Sequence, residues 1–144
     1  MSDLLRLLLT LRALPGLPRA SCGCSPLETI VALIDGALYD VAVDIRRGSP
    51  TYGRWVGVEL SFENGRQLWV PEGFAHGFVT LQLDTEICYK CTDYYAPGDE
   101  YGIAWNDPAL AIAWPEMDYL LSDKDRNYPV LAEAGHLPTY GAMP

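Results

Sequence analysis

The sequence predicts an all-β fold, an antiparallel barrel that begins near residue 30. From that point on, short segments alternate apolar with polar or small residues, which is typical of half-buried strands. Turn-forming residues, mainly glycine, proline and asparagine, separate these segments at short intervals, as in barrels and sandwiches. No sustained helical period of apolar residues crosses this part of the sequence. We therefore expect residues 30–115 to form one barrel.

The predicted strands are separated by recognisable turns. Asp35-Gly36 and Glu63-Asn64-Gly65 are turn signals, and we expect the segment PEGFAHG, residues 71–77, to form a tight loop. The predicted strands are residues 30–34, 37–45, 54–62, 67–70, 78–83, 87–95 and 103–105, with 109–114 as a further short candidate.

The first 29 residues differ from this pattern. They show no two-residue alternation, and we expect them to form an irregular or poorly ordered segment. Within them, residues 3–14 predict a short helix that Pro15 would stop. The abrupt change near residue 29 suggests an altered reading frame or start site.

The other end of the sequence predicts a short helix and a tail. Residues 122–132 begin like a helix, with Ser122 as the N-cap, and Pro129 limits its length. Residues 133–144 are rich in proline and glycine, which predicts a flexible tail. The folded domain is therefore expected to span residues 30–132.

Charge and hydropathy exclude several classes of partner. The chain has 144 residues and a formal net charge of −9, which argues against nucleic acid or an anionic membrane as a partner. No apolar run reaches the roughly 18 residues that a membrane-spanning helix needs. The sequence also lacks a clean signal peptide, so we expect a cytoplasmic protein.

The cysteines do not predict a metal site. Cys88 and Cys91 form a C-x-x-C pair within a predicted strand, where residues three apart face opposite sides. Because two thiols on opposite faces cannot share a metal ion, we interpret them as structural cysteines. Cys22 and Cys24 lie in the irregular first segment.

The stretch from Gly65 to His76 reads G-x5-P-x-G-x2-H, which resembles the second conserved motif of cupins. Pro71 and Gly73 would make a sharp turn, after which His76 would point into the mouth of the barrel. His136 is the only other histidine, so the sequence lacks the ligand set of a metal-dependent cupin, and we predict a pocket without metal. The alternative is that His76 is a hydrogen-bonded structural histidine.

Five ordered stretches together resemble the dTDP-4-dehydrorhamnose 3,5-epimerases. They are DVAVDIRRGSPTYGRWVGVELS, RQLWVPEGFAHGFVTL, YKCTDYYAP, GIAWNDP and LSDKD, and the resemblance covers about residues 30–131. It implies a cupin-like barrel of the jelly-roll type, usually a homodimer, with no metal or redox cofactor. It also implies a role in nucleotide-sugar biosynthesis of the dTDP-rhamnose type, with a dTDP-4-keto-6-deoxyhexose as the ligand.

The reaction of this family removes a proton beside a ketone and returns one to the opposite face. By resemblance, Tyr89 matches the acid, Tyr95 the tyrosine that stacks on the substrate, and Asp125 the carboxylate that orients the catalytic histidine. Without the resemblance, Tyr89 would be a packing aromatic and Asp125 a solvated aspartate.

Three further residues match positions that contact the substrate in this family. They are His76, Glu100 and Lys124. Without the resemblance, Glu100 and Lys124 would be ordinary surface charges.

The sequence departs from the family at the catalytic base. That base is a histidine in an R-G-L-H-type motif, and a lysine in the next strand stabilises the enolate. Aligned without gaps from Gly36, the histidine position falls on Arg19 and the lysine position on Thr29, and the nucleotide-binding N-terminal strands have no counterpart. Two interpretations follow: an epimerase with low or absent turnover, or a non-catalytic cupin that retains a sugar-nucleotide pocket or a dimer surface.

Overall fold

The computed structural model describes residues 12–13, 29–92 and 101–141. Within these ranges the chain is mostly β, which confirms the predicted fold class. The strands are β1 (Arg12–Ala13), β2 (Thr29–Asp35), β3 (Ala37–Asp44), β4 (Trp55–Ser61), β5 (Gln67–Val70), β6 (Phe74–Thr80), β7 (Glu86–Cys91) and β8 (Tyr101–Gly102). One α-helical turn, α1 (Asp123–Arg126), and a 3₁₀ turn, Leu131–Glu133, follow them.

The strands form two antiparallel sheets. The larger sheet has the order β4-β3-β6-β1-β8, and the smaller has the order β5-β2-β7. Strand β3 pairs with β4 on one side and with β6 on the other, so it lies inside the larger sheet. In β3, all residues but Tyr39 are buried. A strand that is covered on both faces reads as a nearly continuous apolar run, as ALYDVAVD does.

The two faces of the larger sheet pack against different parts of the chain. One face carries Leu38 and Phe78, which pack with Val31 of the smaller sheet inside the barrel. The other face carries Val41 and Val43, and the chain after β8 covers it. The buried members of this second cluster are Val41, Val43, Ile45, Ala75, Ile103, Leu110, Leu131 and Ala134.

The chain after β8 is irregular where two strands were expected. The predictions of strands at 103–105 and 109–114 are wrong, because these residues form turns and extended coil. The buried carboxylate of Asp107 accepts hydrogen bonds from the amides of Ala109 at 2.8 Å and Leu131 at 2.7 Å. These bonds satisfy backbone donors that a strand would pair in a ladder. Apolar residues here pack onto the sheet without extending it.

Strand β6 begins earlier than the sequence predicted. The expected loop at 71–77 is wrong in its second half, since the ladder with β3 starts at the pair Asp44↔Phe74. The turn itself needs only Glu72 and Gly73, where the glycine has a φ of 75°. His76 therefore lies within a strand, and the sheet fixes its backbone on both sides.

The helix predicted at 3–14 is wrong at residues 12 and 13, which are the part of it that the structure describes. Arg12–Ala13 form β1, which pairs with β6 on one side and with β8 on the other. Tertiary pairing between two strands outweighs the local helix preference of a short segment. The rest of the predicted helix lies outside the described residues.

The predicted helix at 122–132 is shorter than expected. Ser122 is its N-cap, as predicted, and its hydroxyl oxygen accepts a hydrogen bond from the Asp125 amide at 3.2 Å. The α-helix ends after one turn, and a 3₁₀ turn follows Pro129. Proline lacks an amide hydrogen and disfavours helical backbone in the residue before it, so a continuous helix cannot form here.

Residues 133–141 lie along the barrel. The amide of Arg47 donates to the Pro138 carbonyl at 2.7 Å, and the Tyr140 amide donates to the Arg47 carbonyl at 2.9 Å. The flexibility predicted for the segment 133–144 stays a prediction. No helix in the described ranges is long and apolar enough to cross a membrane.

Candidate functional site

A buried histidine–aspartate pair lies on the inward face of the larger sheet. In the ladder, Asp40 is opposite Phe78 and His76 is opposite Ala42, so Asp40 and His76 are diagonal neighbours on one face. Their side chains meet with Nε2 of His76 2.6 Å from Oδ1 of Asp40. His76 is 6% exposed and Asp40 is fully buried. The second oxygen of Asp40, Oδ2, has no hydrogen-bond partner among the described residues.

Tyr89 lies beside this pair, on the inward face of the smaller sheet. It is opposite Val31, which is fully buried inside the barrel. The Tyr89 ring centroid lies 6.3 Å from that of His76, with the two ring planes at 80°. Tyr89 is nevertheless 44% exposed. The barrel interior is therefore open to solvent at Tyr89, and a ligand can reach the side chains around His76 from this opening.

Asp125 is buried on α1, although most of that helix turn is exposed. Its Oδ2 accepts a hydrogen bond from the Ser122 hydroxyl at 2.6 Å. Its Oδ1 is buried without a hydrogen-bond partner among the described residues. No hydrogen bond within those residues joins Asp125 to His76. Asp125 therefore offers a buried acceptor at a second position.

The remaining candidate residues are placed differently. Lys124 is exposed on α1. Tyr95 and Glu100 lie outside the described residues, and their roles stay predictions. Of the six residues proposed from the sequence, the structure brings His76 and Tyr89 together.

The sequence analysis missed Asp40. A signal was present, since Asp40 is an aspartate inside the apolar strand ALYDVAVD. A fully buried carboxylate is uncommon unless it has a partner. The partner lies 36 residues further along the chain, and only the register of β3 against β6 identifies it.

A second buried carboxylate lies on the same strand and the same face. Asp44 accepts hydrogen bonds from the Arg46 side chain at 2.9 and 2.8 Å and from the hydroxyls of Ser49 and Thr51, each at 2.6 Å. Burial raises the pKa of Asp44, but these hydrogen bonds outweigh it and hold the pKa well below its usual range. The hydrogen bond to Asp44 in turn raises the pKa of Arg46.

Arg46 connects this carboxylate to two aromatic rings. Its guanidinium carbon lies 4.6 Å from the centre of the Phe74 ring and 5.0 Å from that of Tyr140. Phe74 begins the strand that carries His76, and Tyr140 belongs to the C-terminal segment. The cluster of Asp44 and Arg46 thus holds a loop, a strand and the C-terminal segment together.

Metal-ligating side chains are not clustered in the described part of the chain. No three residues among its histidines, cysteines, aspartates and glutamates are placed to hold a metal ion. Cys88 and Cys91 are free thiols. The absence of a metal from the pocket stays a prediction.

His136 lies outside the barrel. Its ring stacks on Tyr101 with centroids 4.3 Å apart, and it lines a cavity of about 150 Å³ together with Tyr128 and apolar residues. His136 is therefore separate from the side chains around His76.

Comparison with known proteins identifies the family. Residues 24–133 match the dTDP-4-dehydrorhamnose 3,5-epimerase family. The dTDP-4-dehydrorhamnose 3,5-epimerase of Sinorhizobium fredii (strain NBRC 101917 / NGR234) is 58% identical over 105 residues, which are 72% of this chain and 54% of that protein.

Two solved structures are similar over almost the whole chain. One is the dTDP-6-deoxy-D-glucose-3,5-epimerase of Legionella pneumophila Philadelphia 1, in complex with dTDP-4-keto-L-rhamnose. It is 43% identical, with a TM-score of 0.84, over 95% of this chain and 71% of that chain. The other is a double mutant of ChmJ, a 3'-monoepimerase of Streptomyces bikiniensis, in complex with dTDP. It is 36% identical, with a TM-score of 0.83, over 94% of this chain and 67% of that chain.

Each of these matches covers a larger share of this chain than of the curated relative. The chain spans about half the length of the curated relatives it matches. The family match itself covers residues 24–133, which is most of the present sequence and includes the strands that carry His76 and Tyr89. The chain therefore belongs to the dTDP-4-dehydrorhamnose 3,5-epimerase family.

Proposed function

We propose that this chain binds a dTDP-linked 4-keto-6-deoxy sugar inside its barrel, as a sugar-nucleotide epimerase of reduced activity. The observation that carries this proposal is the group of His76, Asp40 and Tyr89 at the open part of the barrel interior. The similarity to the Legionella enzyme, solved with dTDP-4-keto-L-rhamnose, supports the choice of ligand.

In this proposal, Tyr89 is the acid that returns a proton to the sugar. A tyrosine hydroxyl carries a hydrogen that it can donate, which suits it to this role. Tyr89 is well placed for this role because it faces the barrel interior and remains accessible. His76 contacts the ligand, and Tyr95, Glu100 and Lys124 contribute further contacts.

The proposed site has no identified proton acceptor. The gap-free alignment assigns its position to Arg19. The segment R-A-L-P at residues 12–15, which begins in β1, offers a second alignment with R-G-L-H, in which the base position falls on Pro15. Neither side chain accepts a proton at neutral pH. Asp125 matches the carboxylate that orients the catalytic histidine in the family, and in either alignment it would have no histidine to orient. Its Oδ1 lacks a partner among the described residues.

The enolate also lacks its expected cation. Thr29, at the position of the family's lysine, is buried on the inward side of β2, and its hydroxyl lies 3.6 Å from the Cys91 sulfur. A threonine hydroxyl can donate a hydrogen bond but carries no charge. The proposal therefore predicts slow epimerisation.

The alternative is a non-catalytic barrel that keeps the sugar-nucleotide pocket. The lack of a proton acceptor at the base position is the observation that supports this alternative. The similar structures include a 3,5-epimerase and a 3'-monoepimerase, so the proposed function covers reaction at C3 alone or at both C3 and C5.

Calorimetric titration with dTDP tests the binding part of the proposal. We expect saturable binding of dTDP and weaker binding of AMP, which carries a different base and one phosphate fewer. The absence of saturable dTDP binding by a folded sample would contradict the proposed function.

Restoring the base tests the catalytic part. Pro15→His and Arg19→His each place a histidine at the base position of one of the two alignments. We expect the variant that corresponds to the correct alignment to accelerate proton exchange in the sugar by at least about 10²-fold. The other substitution is the matched control, since it adds the same side chain at a different place. Equal effects of the two substitutions would contradict an acceptor at a defined position.

We also propose that the chain forms a homodimer. The outer face of the smaller sheet exposes apolar side chains, including the cross-strand pair Ile30 and Trp69, which are 39% and 56% exposed. A second copy covering this face would remove both side chains from water. Light scattering should show a dimer that Trp69→Lys weakens and that Phe62→Lys, at an exposed turn, leaves intact. A monomer at high concentration would contradict the proposal.

A cytoplasmic location also stays a prediction.

A further inference from the structure

We propose that Asp40 is a positioning residue of the ligand pocket. It fixes the His76 ring and its tautomer, so that Nδ1 is the atom that His76 presents to the bound sugar nucleotide. This inference rests on the proposed function only for the identity of the ligand.

The first support is the place of the pair in the sheet. Asp40 and His76 lie on β3 and β6, which pair along seven consecutive residues without a register shift. Both strands are buried and have neighbours on each side. The backbone therefore holds the two side chains at a defined separation, and their contact of 2.6 Å is part of that register.

The second support is the chemistry of the contact. An ionised carboxylate can only accept hydrogen bonds, so the Nε2 atom that faces Asp40 carries the hydrogen. This holds for the neutral and for the charged ring. Nδ1 is the other polar atom, and no described residue makes a hydrogen bond to it. Phe78 and Tyr89, at ring distances of 6.1 and 6.3 Å, limit rotation of the ring away from Asp40.

The third support is the energetic cost of the arrangement. Asp40 is fully buried, and its Oδ2 has no partner among the described residues. A buried acceptor without a partner destabilises a protein, and buried ionic pairs are often replaceable by apolar residues without loss of stability. Stability alone therefore does not favour an aspartate here over an apolar residue. Orientation of a histidine beside an opening does give one.

Asp40→Asn tests the proposal. The amide nitrogen of asparagine is a donor. An asparagine in place of an orienting aspartate can therefore select the wrong histidine tautomer, as the same substitution does in the serine protease triad. We expect nitrogen NMR of the His76 ring to show Nε2–H in the wild-type protein and loss of this single tautomer in Asp40→Asn. We also expect dTDP-sugar affinity to fall by about 10- to 100-fold.

Asp107→Asn is the matched control. Asp107 is also a buried aspartate, but it binds backbone amides in the segment that covers the other face of the sheet. We expect this substitution to lower stability while leaving the His76 tautomer and dTDP-sugar affinity unchanged. An equal loss of affinity in both variants would overturn the proposal, because it would show a general effect of destabilisation.

A double-substitution cycle adds a readout that a purely structural role would not change. In a His76→Gln background, Asp40→Asn should cause no further loss of affinity, because its effect passes through His76. Additive losses would overturn the proposal.

The wild-type protein provides a test even if Asp40→Asn does not fold. A His76 ring that carries its hydrogen on Nδ1, or that exchanges freely between both tautomers, would overturn the proposal. If the wild-type protein does not bind dTDP but shows the fixed Nε2–H tautomer, the proposed function fails and the positioning role of Asp40 stands.

Discussion

Asp40 and Asp44 lie four residues apart on the same strand and the same face, yet their surroundings differ. Asp44 is surrounded by donors: both oxygens are used, by Arg46, Ser49 and Thr51. Asp40 has one hydrogen-bond partner, His76, and one oxygen without a partner among the described residues. A fully satisfied buried carboxylate stabilises its surroundings, whereas a partly satisfied one costs stability and needs another explanation. The difference agrees with the proposal that Asp44 maintains the fold whereas Asp40 positions His76.

The largest expected effect is the loss of stability in Asp44→Ala. Removing this carboxylate leaves the mostly buried guanidinium of Arg46 and two hydroxyls without their acceptor. We expect a loss of about 3–5 kcal/mol in the free energy of unfolding, which is typical of removing one partner of a buried ion pair. Urea denaturation measures it, with the exposed Asp123→Ala as control. A loss below about 1 kcal/mol would show that the cluster does not stabilise the fold.

The second prediction is the order of stability between the two positions. We expect Asp40→Asn to lower the free energy of unfolding by about 1–3 kcal/mol, since it disturbs a single buried hydrogen bond to a polar partner. Urea denaturation under the same conditions should therefore rank it below Asp44→Ala. If Asp40→Asn proves the more destabilising of the two, the division between a stabilising carboxylate and a positioning carboxylate is wrong.

The smallest effect is a pH dependence that belongs to Asp44. Its pKa in the folded protein lies well below the usual range, so the unfolded chain binds its proton first as the pH falls. The stability that Asp44 contributes is fully present above about pH 5 and is lost as the pH falls below about 4 toward the folded pKa. Between about pH 6 and pH 3, the free energy of unfolding should fall more steeply with decreasing pH for the wild-type protein than for Asp44→Asn. Parallel curves would contradict this assignment.

Many strands of the barrel were predictable one by one, because apolar and polar residues alternate along them and turn residues bound them, although most of them pair with strands distant in sequence. The strand at Gln67–Val70 and the turns at Gly36 and Gly65 follow from residue order and turn chemistry. The failures lie where tertiary contacts decide the backbone. Residues 103–114 are apolar enough for strands, but the Asp107 carboxylate accepts a hydrogen bond from the Ala109 amide, and the chain covers the sheet instead.

The candidate site was predictable in part. A motif identified His76, and strand parity with the buried Val31 explains why Tyr89 faces inward. The Asp40–His76 contact was not predictable, because it joins residues 36 positions apart and depends on strand register. The burial of Asp125 depends likewise on how its helix turn meets the barrel, which the pattern SDKD does not reveal.

The rate of solvent deuterium exchange tests the central claim most directly. The chain is incubated in D₂O with a dTDP-4-keto-6-deoxyhexose, and deuterium at C3 and C5 of the sugar is followed by NMR beside a family member that has the R-G-L-H motif. We predict that the chain binds dTDP but exchanges protons at least about 10³-fold more slowly, because neither alignment places a proton acceptor at the base position and Thr29 stands at the position of the enolate-stabilising lysine. Exchange at the rate of that family member would contradict the account and would show that another residue of this chain accepts the proton.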